Sequence, residues 1–334
     1  MKNNVTMQDI ANQLGVSKVT VSKALNNKEG VSDQLKAKIK VTAKDMGYRY
    51  NALARALKVS HSFNIGVIIA ERFTGDHKSF YTGFYQHLSR VLDTYEYSGI
   101  LNILSDQAEK GLALPRIYLE RKVDGFIILG QISKKYIEVL QNIDIPIIFL
   151  DFYDDHVGID AVITDNFYGA YELTNYLISN GHREIAYVGN LHATSSIQDR
   201  FLGYYKSLLE HQIPLNNDYI INDRDENGKF IDLFLPAQIP SAFVCNCDQI
   251  AYNLINKLKT SGYKVPEDCS VVGFDNDIFA TISEPQITTV EVNIKEMANT
   301  VVRYMIEKVT DGNKKYGRVL IKGKIIYRDS VKTI

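Results

Sequence analysis

The spacing of apolar residues changes once along this chain, near residue 60. Before that point it is helical. Ile10, Ala11 and Leu14 fall on one face of a helix that Gly15 breaks, and Val21, Ala24 and Leu25 resume the stripe in a second helix. A third helix is predicted from Val31-Ser32-Asp33 to about Met46, with Leu35, Ile39, Val41 and Ala43 closing a small core and Gly47 ending it. Asn51 to Lys58 predicts a further helix of about two turns, too short to be stable alone in water. Beyond residue 60 the pattern becomes short continuous Val/Ile runs alternating with amphipathic stretches. Strands are predicted at 65–70, 99–104, 123–129 and 146–150, with helices near 79–94 and 109–121 between them. A second series is predicted to start at 161–164 and to include 184–188, 242–245 and 270–274. Two consecutive βα series imply two doubly wound lobes, with a ligand cleft where the C-terminal strand ends face one another.

Composition divides the chain at the same place. With 334 residues, 45% of them hydrophobic and 23% charged, it is long enough for a small module and a larger body. The net charge of −1 conceals a gradient. Residues 1–58 hold eleven Lys and Arg against four Asp and Glu, a net +7, and the remainder holds 27 against 35, a net −8. The first segment suits a polyanion and the rest does not. Cys245, Cys247 and Cys269 are too few and too clustered for a disulfide framework, and no second Cys pair or nearby His completes a metal site, so no metal or cofactor is expected. No signal-peptide core and no membrane-length apolar run occur in the sequence, and a cytoplasmic protein is the expectation. A Gly-rich phosphate loop, a G-x-S-x-G elbow and metal-spaced histidines are all missing from the sequence, which argues against an enzyme; no catalytic residue is assigned.

The N-terminal pattern carries a chemistry of its own. Two short helices joined at a turn glycine, with the small Ala11 facing the turn, form a helix-turn-helix signature. Thr6 and Asp9 have capping-box spacing, and Ser17 is placed to cap the second helix.

In order along nearly the whole chain stand Thr6-x-x-Asp9-Ile10-Ala11, Gly15-Val16-Ser17, Thr20 to Asn26, Asn51-x-x-Ala54-Arg55-x-Leu57, Gly181-His182-Arg183, Arg200-x-x-Gly203, Gly273-Phe274-Asp275, Pro285-x-Ile287-Thr288-Thr289-Val290 and Arg328-x-Ser330. By these motifs the chain resembles the LacI/GalR (lactose and galactose repressor) family of bacterial transcription regulators. The resemblance implies a helix-turn-helix headpiece over 1–49, a hinge helix and linker over 50–60, and a two-lobed, periplasmic-binding-protein-like α/β core over 61–334. It implies a homodimeric repressor that binds a pseudo-palindromic double-stranded operator under the control of a small-molecule effector, a sugar being the first choice. A purine or nucleoside, or a phosphorylated protein corepressor, is the alternative.

Carried over position by position, the resemblance places base-edge contacts on Lys18, Val19 and Lys23. Lysine can donate to guanine, and valine can touch a thymine methyl. Thr6, Ser17, Thr20, Ser22 and Asn26 suit phosphate contacts, with capping and solvation as the competing roles for all five, and at least equal ones for Thr6. The hinge falls on Asn51, Ala54 and Leu57, with Leu57 as a minor-groove wedge. Tyr50 stands where the family usually has proline, which removes a pre-set φ and makes the hinge more dependent on DNA. Effector contacts fall on Phe80, Tyr81, Asp151, Arg200, Cys247 and Asp275, with Cys247 where Asn or Ser is common. Asp165, Asn166 and Thr194-Ser195-Ser196 are second-rank candidates, with helix capping as the equal alternative for Asp165. Helix 294–309 offers an apolar face to a dimer partner or to the core.

Overall fold

The computed structural model describes residues 5–48, 61–74, 79–154, 158–225 and 228–334. Hinge positions Asn51, Ala54 and Leu57 lie outside the described residues. The chain divides into two compact units, Met1–His61 and Ser62–Ile334.

In the first unit, α1 (Met7–Leu14), α2 (Lys18–Leu25) and α3 (Asp33–Asp45) surround a core of Ile10, Ala11, Val21, Ala24, Ile39 and Ala43. The capping box forms: Thr6 Oγ1 accepts from Asp9 N at 3.3 Å, and Thr6 N donates to Asp9 Oδ2 at 2.8 Å. Gly15 closes α1 with φ 64°, a conformation that costs other residues a Cβ clash. Val41 was expected in this core and is 59% exposed. It lies two positions from Ile39, about 200° around the helix, whereas Leu35, Ile39 and Ala43 recur every four residues on one face.

The second unit holds two six-stranded sheets. The first runs β11 (Arg318–Ile321), β5 (Asp160–Thr164), β4 (Ile147–Leu150), β3 (Gly125–Leu129), β1 (Asn64–Ala70), β2 (Ser98–Leu104), every pair parallel. The second runs β12 (Lys324–Ile326), β10 (Thr288–Glu291), β9 (Ser270–Asp275), β8 (Ala242–Cys245), β6 (Ile185–Val188), β7 (Ile220–Ile221), parallel except for β10 with β12. Inner strands such as β3, β4 and β5 are buried at every position, as a sheet covered on both faces demands.

Two sequence expectations change here, and one open alternative is decided. Strand 160–164 closes the first sheet rather than opening the second, so the lobes are not consecutive: the chain crosses between them after β5, after β10 and between β11 and β12. At the last crossing a Cβ on Gly323 would lie 2.7 Å from Val290 Cγ1 and 2.9 Å from Glu291 O, leaving room for glycine alone. The helix expected at 109–121 is two short pieces, α5 (Asp106–Lys110) and α6 (Arg116–Leu119), because Gly111 and Pro115 fall inside the apolar pattern. Helix α12 (Ile294–Thr310) buries Met297, Ala298, Val301, Val302 and Met305 in the core, which removes its apolar face from consideration as a dimer surface.

The remaining helices are α4 (Ser79–Thr94), α7 (Lys134–Leu140), α8 (Asn166–Ser179), α9 (Ser195–Glu210), α10 (Asp248–Thr260) and α11 (Ile278–Ile282). Gly203 lets α8 and α9 approach closely, since a Cβ there would sit 2.1 Å from Phe167 O. The motif residues Gly181 and His182 serve the C-terminus, not the cleft. A Cβ on Gly181 would meet Ile334 O at 2.4 Å, and buried His182 contacts Ser241 Oγ and Lys332 O at 3.0 and 3.1 Å. Burial holds the His182 pKa below its ordinary value.

Candidate functional site

Two surfaces carry chemistry, one in each unit. On α2 the buried positions Val21 and Ala24 face inward, and Lys18, Val19, Lys23 and the C-cap residue Asn26 are exposed. Val19 is 64% exposed, a valine offered to solvent by a helix otherwise buried through its apolar residues. Ser17 accepts from Thr20 N at 3.0 Å and caps α2, and the Asn26 side chain donates to Ser22 O at 2.7 Å. Thr6 is held in its capping box. These three polar side chains therefore already shape the headpiece locally, and Thr20 and Ser22 are half-buried.

The second surface is a cleft between the lobes, built from the C-terminal ends of strands in both sheets. Arg72, Phe73, Phe80 and Tyr81 follow β1, and Asp151 follows β4; in the facing lobe Thr194, Ser196 and Arg200 follow β6, Asn246 and Cys247 follow β8, Asp275 ends β9 and Asp277 follows it. Counted out to its open mouth, solvent space included, the cleft spans about 820 Å³. All six expected effector residues line it: Phe80, Tyr81, Asp151, Arg200, Cys247 and Asp275.

Arg200 is the best-held group in the cleft. Its Nε donates to Asn166 Oδ1 at 2.8 Å, its Nη1 donates to the Asn246 carbonyl, and its Nη2 lies 3.2 Å from Asp275 Oδ1. The guanidinium carbon sits 3.7 Å from the Phe274 ring centroid. The Gly273-Phe274-Asp275 motif is thereby accounted for: Phe274 supports the guanidinium, Asp275 pairs with it, and Gly273 leaves room for Asp248 Oδ1, 2.1 Å from where its Cβ would stand.

Asp151 and Asp275 both have left-handed backbones, φ 65° and 108°, which non-glycine residues adopt at a cost. Burial pushes the Asp151 carboxyl up to about 6, against the opposing pull of Arg200 and the Tyr81 hydrogen bond. Asp275 is pushed up to about 7 by burial, against Arg200 and helped by the neighbouring charges of Asp277 and Asp151. Burial also raises the Cys247 thiol well above its ordinary range, so it is a neutral, weak hydrogen-bonding group.

The second-rank residues serve the frame. Asp165 caps α8 by accepting from Tyr168 N at 3.0 Å, and Asn166 orients Arg200. Thr194 caps α9, accepting from Ile197 N at 3.2 Å, and lines the cleft with Ser196. Ser195 ties the lobes together: its Oγ donates to Gln131 Oε1 at 3.3 Å. A second tie joins Tyr153 and Asp199, hydroxyl to Oδ1 at 2.9 Å.

Arg72, Arg224, Phe230, Asn246 and Asp277 line the cleft without having been singled out from the sequence. Arg224 and Phe230 come from 222–240, where apolar periodicity fails, and an isolated bridge between these two residues brings them to the cleft. Asp277 had a usable signal, since it caps α11 directly after the Asp275 motif.

Residues 6–51 match the description "Bacterial regulatory proteins, lacI family" and residues 174–331 match "Periplasmic binding protein-like domain". The HTH-type transcriptional regulator RegA of Clostridium acetobutylicum is 31% identical, over 98% of this chain and 99% of its own. In fold, the chain resembles the lac repressor dimer bound to operator and the anti-inducer ONPF, with TM-score 0.76, 22% identity and coverage of 99% of this chain and 100% of that one. It also resembles a LacI family regulator of Enterococcus faecium with bound ribose, with TM-score 0.66, 25% identity and coverage of 81% and 99%. The chain belongs to the lacI family of bacterial regulatory proteins: a DNA-binding transcriptional regulator with a periplasmic-binding-protein-like core. Among the described residues no helix is long and apolar enough to cross a membrane.

Proposed function

We propose that this chain is a repressor that binds a pseudo-palindromic operator as a homodimer, through headpieces of residues 1–49 and hinge segments of 50–60. Its 61–334 core takes a sugar in the interlobe cleft. Lys18, Val19 and Lys23 read base edges, Thr6, Ser17, Thr20, Ser22 and Asn26 meet phosphates, and Asn51, Ala54 and Leu57 carry the hinge contact with the minor groove. Phe80, Tyr81, Asp151, Arg200, Cys247 and Asp275 hold the effector. The protein works in the cytoplasm, and its core binds without catalysing a reaction.

The observation that carries this is the cleft itself. Carboxylates and arginines converge there beside the aromatic rings of Phe73, Phe80 and Tyr81, the groups that hydrogen-bond hydroxyls and stack on a sugar's apolar face. Hydrogen bonds from Tyr153 and Ser195 bridge the same lobes, so a ligand between them changes the lobe angle and with it the spacing of two headpieces. Genome-wide footprinting of the full chain is the test. Recurrent two-fold symmetric sites, lost when residues 1–58 are deleted and altered in occupancy by a sugar, are expected; sites retained by the deleted chain would refute the assignment of DNA binding to the headpiece.

A further inference from the structure

Three arginines line the cleft, and each already has a carboxylate of its own chain. Arg72 Nη1 donates to Glu109 Oε2 at 2.6 Å, and Arg200 Nη2 lies 3.2 Å from Asp275 Oδ1. Arg224 donates twice to Asp223 Oδ2, from Nε at 3.0 Å and from Nη2 at 2.7 Å. Asp223 is fully buried and Arg224 nearly so, and the pair is neutral as a unit. Two more carboxylates of the lining, Asp151 and Asp277, make no ion pair among the described residues. Counting Glu109 and Asp223, which pair with lining arginines without lining the cleft themselves, five carboxylates stand against three guanidiniums. An incoming carboxylate or phosphate would find each guanidinium's charge already matched by a carboxylate of the chain, with only an unbonded edge such as Arg224 Nη1 left to donate, and would lie beside carboxylates that are themselves poorly solvated.

An uncharged ligand meets two open valences instead. Asp151 Oδ1 is buried and accepts no hydrogen bond among the described residues, so it calls for a hydroxyl donor. Arg224 presents the complementary need. Its Nε and Nη2 are pinned by Asp223 and by Asn246 Oδ1 at 3.2 Å, the Phe230 ring lies 4.9 Å away, and Nη1 carries no hydrogen bond among the described residues. Adjacent hydroxyls on one molecule supply donors and acceptors together.

We propose that the cleft selects an uncharged, polyhydroxylated ligand over the matching sugar acids and phosphates, with Arg224 as a specificity-determining donor; this rests on the cleft being the effector site. The test is isothermal titration of the full chain with matched probes: D-glucose, D-glucuronate and D-glucose 6-phosphate; D-galactose and D-galacturonate; D-ribose and D-ribose 5-phosphate; and hypoxanthine. A neutral sugar is expected to bind, its acid and phosphate about tenfold more weakly or worse, and Arg224→Gln to lose about tenfold for that sugar. An acid or phosphate that binds as tightly as its neutral partner overturns charge selection and leaves a sugar effector standing. Unchanged sugar affinity in Arg224→Gln overturns the role of Arg224. Binding of hypoxanthine alone, or of no probe, overturns both the inference and the sugar effector. The wild-type ratios decide charge selection even if the variant does not fold.

Discussion

The Tyr81 hydroxyl donates a 3.0 Å hydrogen bond to Asp151 Oδ2, while Asp151 Oδ1 is buried and accepts no hydrogen bond among the described residues. Burial raises Asp151 to about 6, and the carboxylate beside the phenol raises the Tyr81 pKa further than burial alone. One half of the carboxylate is thus fixed by the lobe that carries it, and the other has no partner among the described residues.

A carboxyl whose folded pKa exceeds its ordinary 3.8 contributes stability below that value and loses it as pH rises through the folded pKa. Asp151 and Asp275, at about 6 and about 7, should therefore make the ligand-free core less stable at pH 8 than at pH 5. Asp151→Asn removes one ionisation. It should raise Tm at pH 8 by a few degrees, with an upper limit of about 3 kcal/mol for a two-unit shift, and the gain should shrink toward pH 5. Thermal melts at both pH values measure this, and a variant that gains nothing at pH 8 would show that Asp151 is not strained when ionised.

Tyr153 and Asp199 belong to opposite lobes, and their 2.9 Å hydrogen bond favours the closed arrangement. Tyr153→Phe keeps the ring, including its stacking under the Arg318 guanidinium at 4.3 Å, and deletes only the donor. A loss of about 1 kcal/mol shifts the open–closed ratio about fivefold. Amide hydrogen exchange at the start of α9 should rise by that factor in the full chain; unchanged exchange would mean the bond does not hold the lobes.

The headpiece core offers a contrast on a single helix. Ile39 is fully buried and Val41 is 59% exposed. Ile39→Ala should cost about 2–5 kcal/mol and unfold the headpiece, whereas Val41→Ala should stay within about 0.5 kcal/mol. Circular dichroism melts of the two variants check it, and a large loss at Val41 would contradict its outward placement.

Much of this was legible where a motif and a periodicity coincide. Thr6 with Asp9 and the Gly15 turn announce themselves by spacing, Arg200 and Asp275 by the family resemblance, and the folded chain brings each together. Membership of β5 in the first sheet was not legible, because a buried parallel strand reads the same in either lobe and its neighbour β11 lies more than 150 residues later. Arg72 and Arg224 were hidden for a related reason. Arg72 reaches the cleft from a single 3-10 turn, Glu71–Phe73, and Arg224 from a loop, neither long enough to show a repeating pattern, and only the fold pairs Arg72 with Glu109 or sets Arg224 beside Phe230. Val41 is apolar but out of phase with Leu35, Ile39 and Ala43, so its residue type and its place on the helix point in opposite directions.

On DNA, the outward face of α2 and the hinge segment should fail in different ways. Lys18→Gln removes a donor from an exposed position on α2, so it should cost about 1–3 kcal/mol on the best operator and relax the preference at one base pair of each half-site. Leu57→Ala removes no charge, so it should leave the salt dependence and the non-specific affinity as they are. Operator affinity should fall about tenfold or more, because the energy of opening a base step is no longer repaid by an inserted apolar side chain. Fluorescence anisotropy on operator and scrambled duplexes at two salt concentrations separates the cases. Equal losses on both duplexes for Leu57→Ala would rule out the wedge, and a Lys18→Gln chain with unaltered base preference would move sequence reading to another residue of α2.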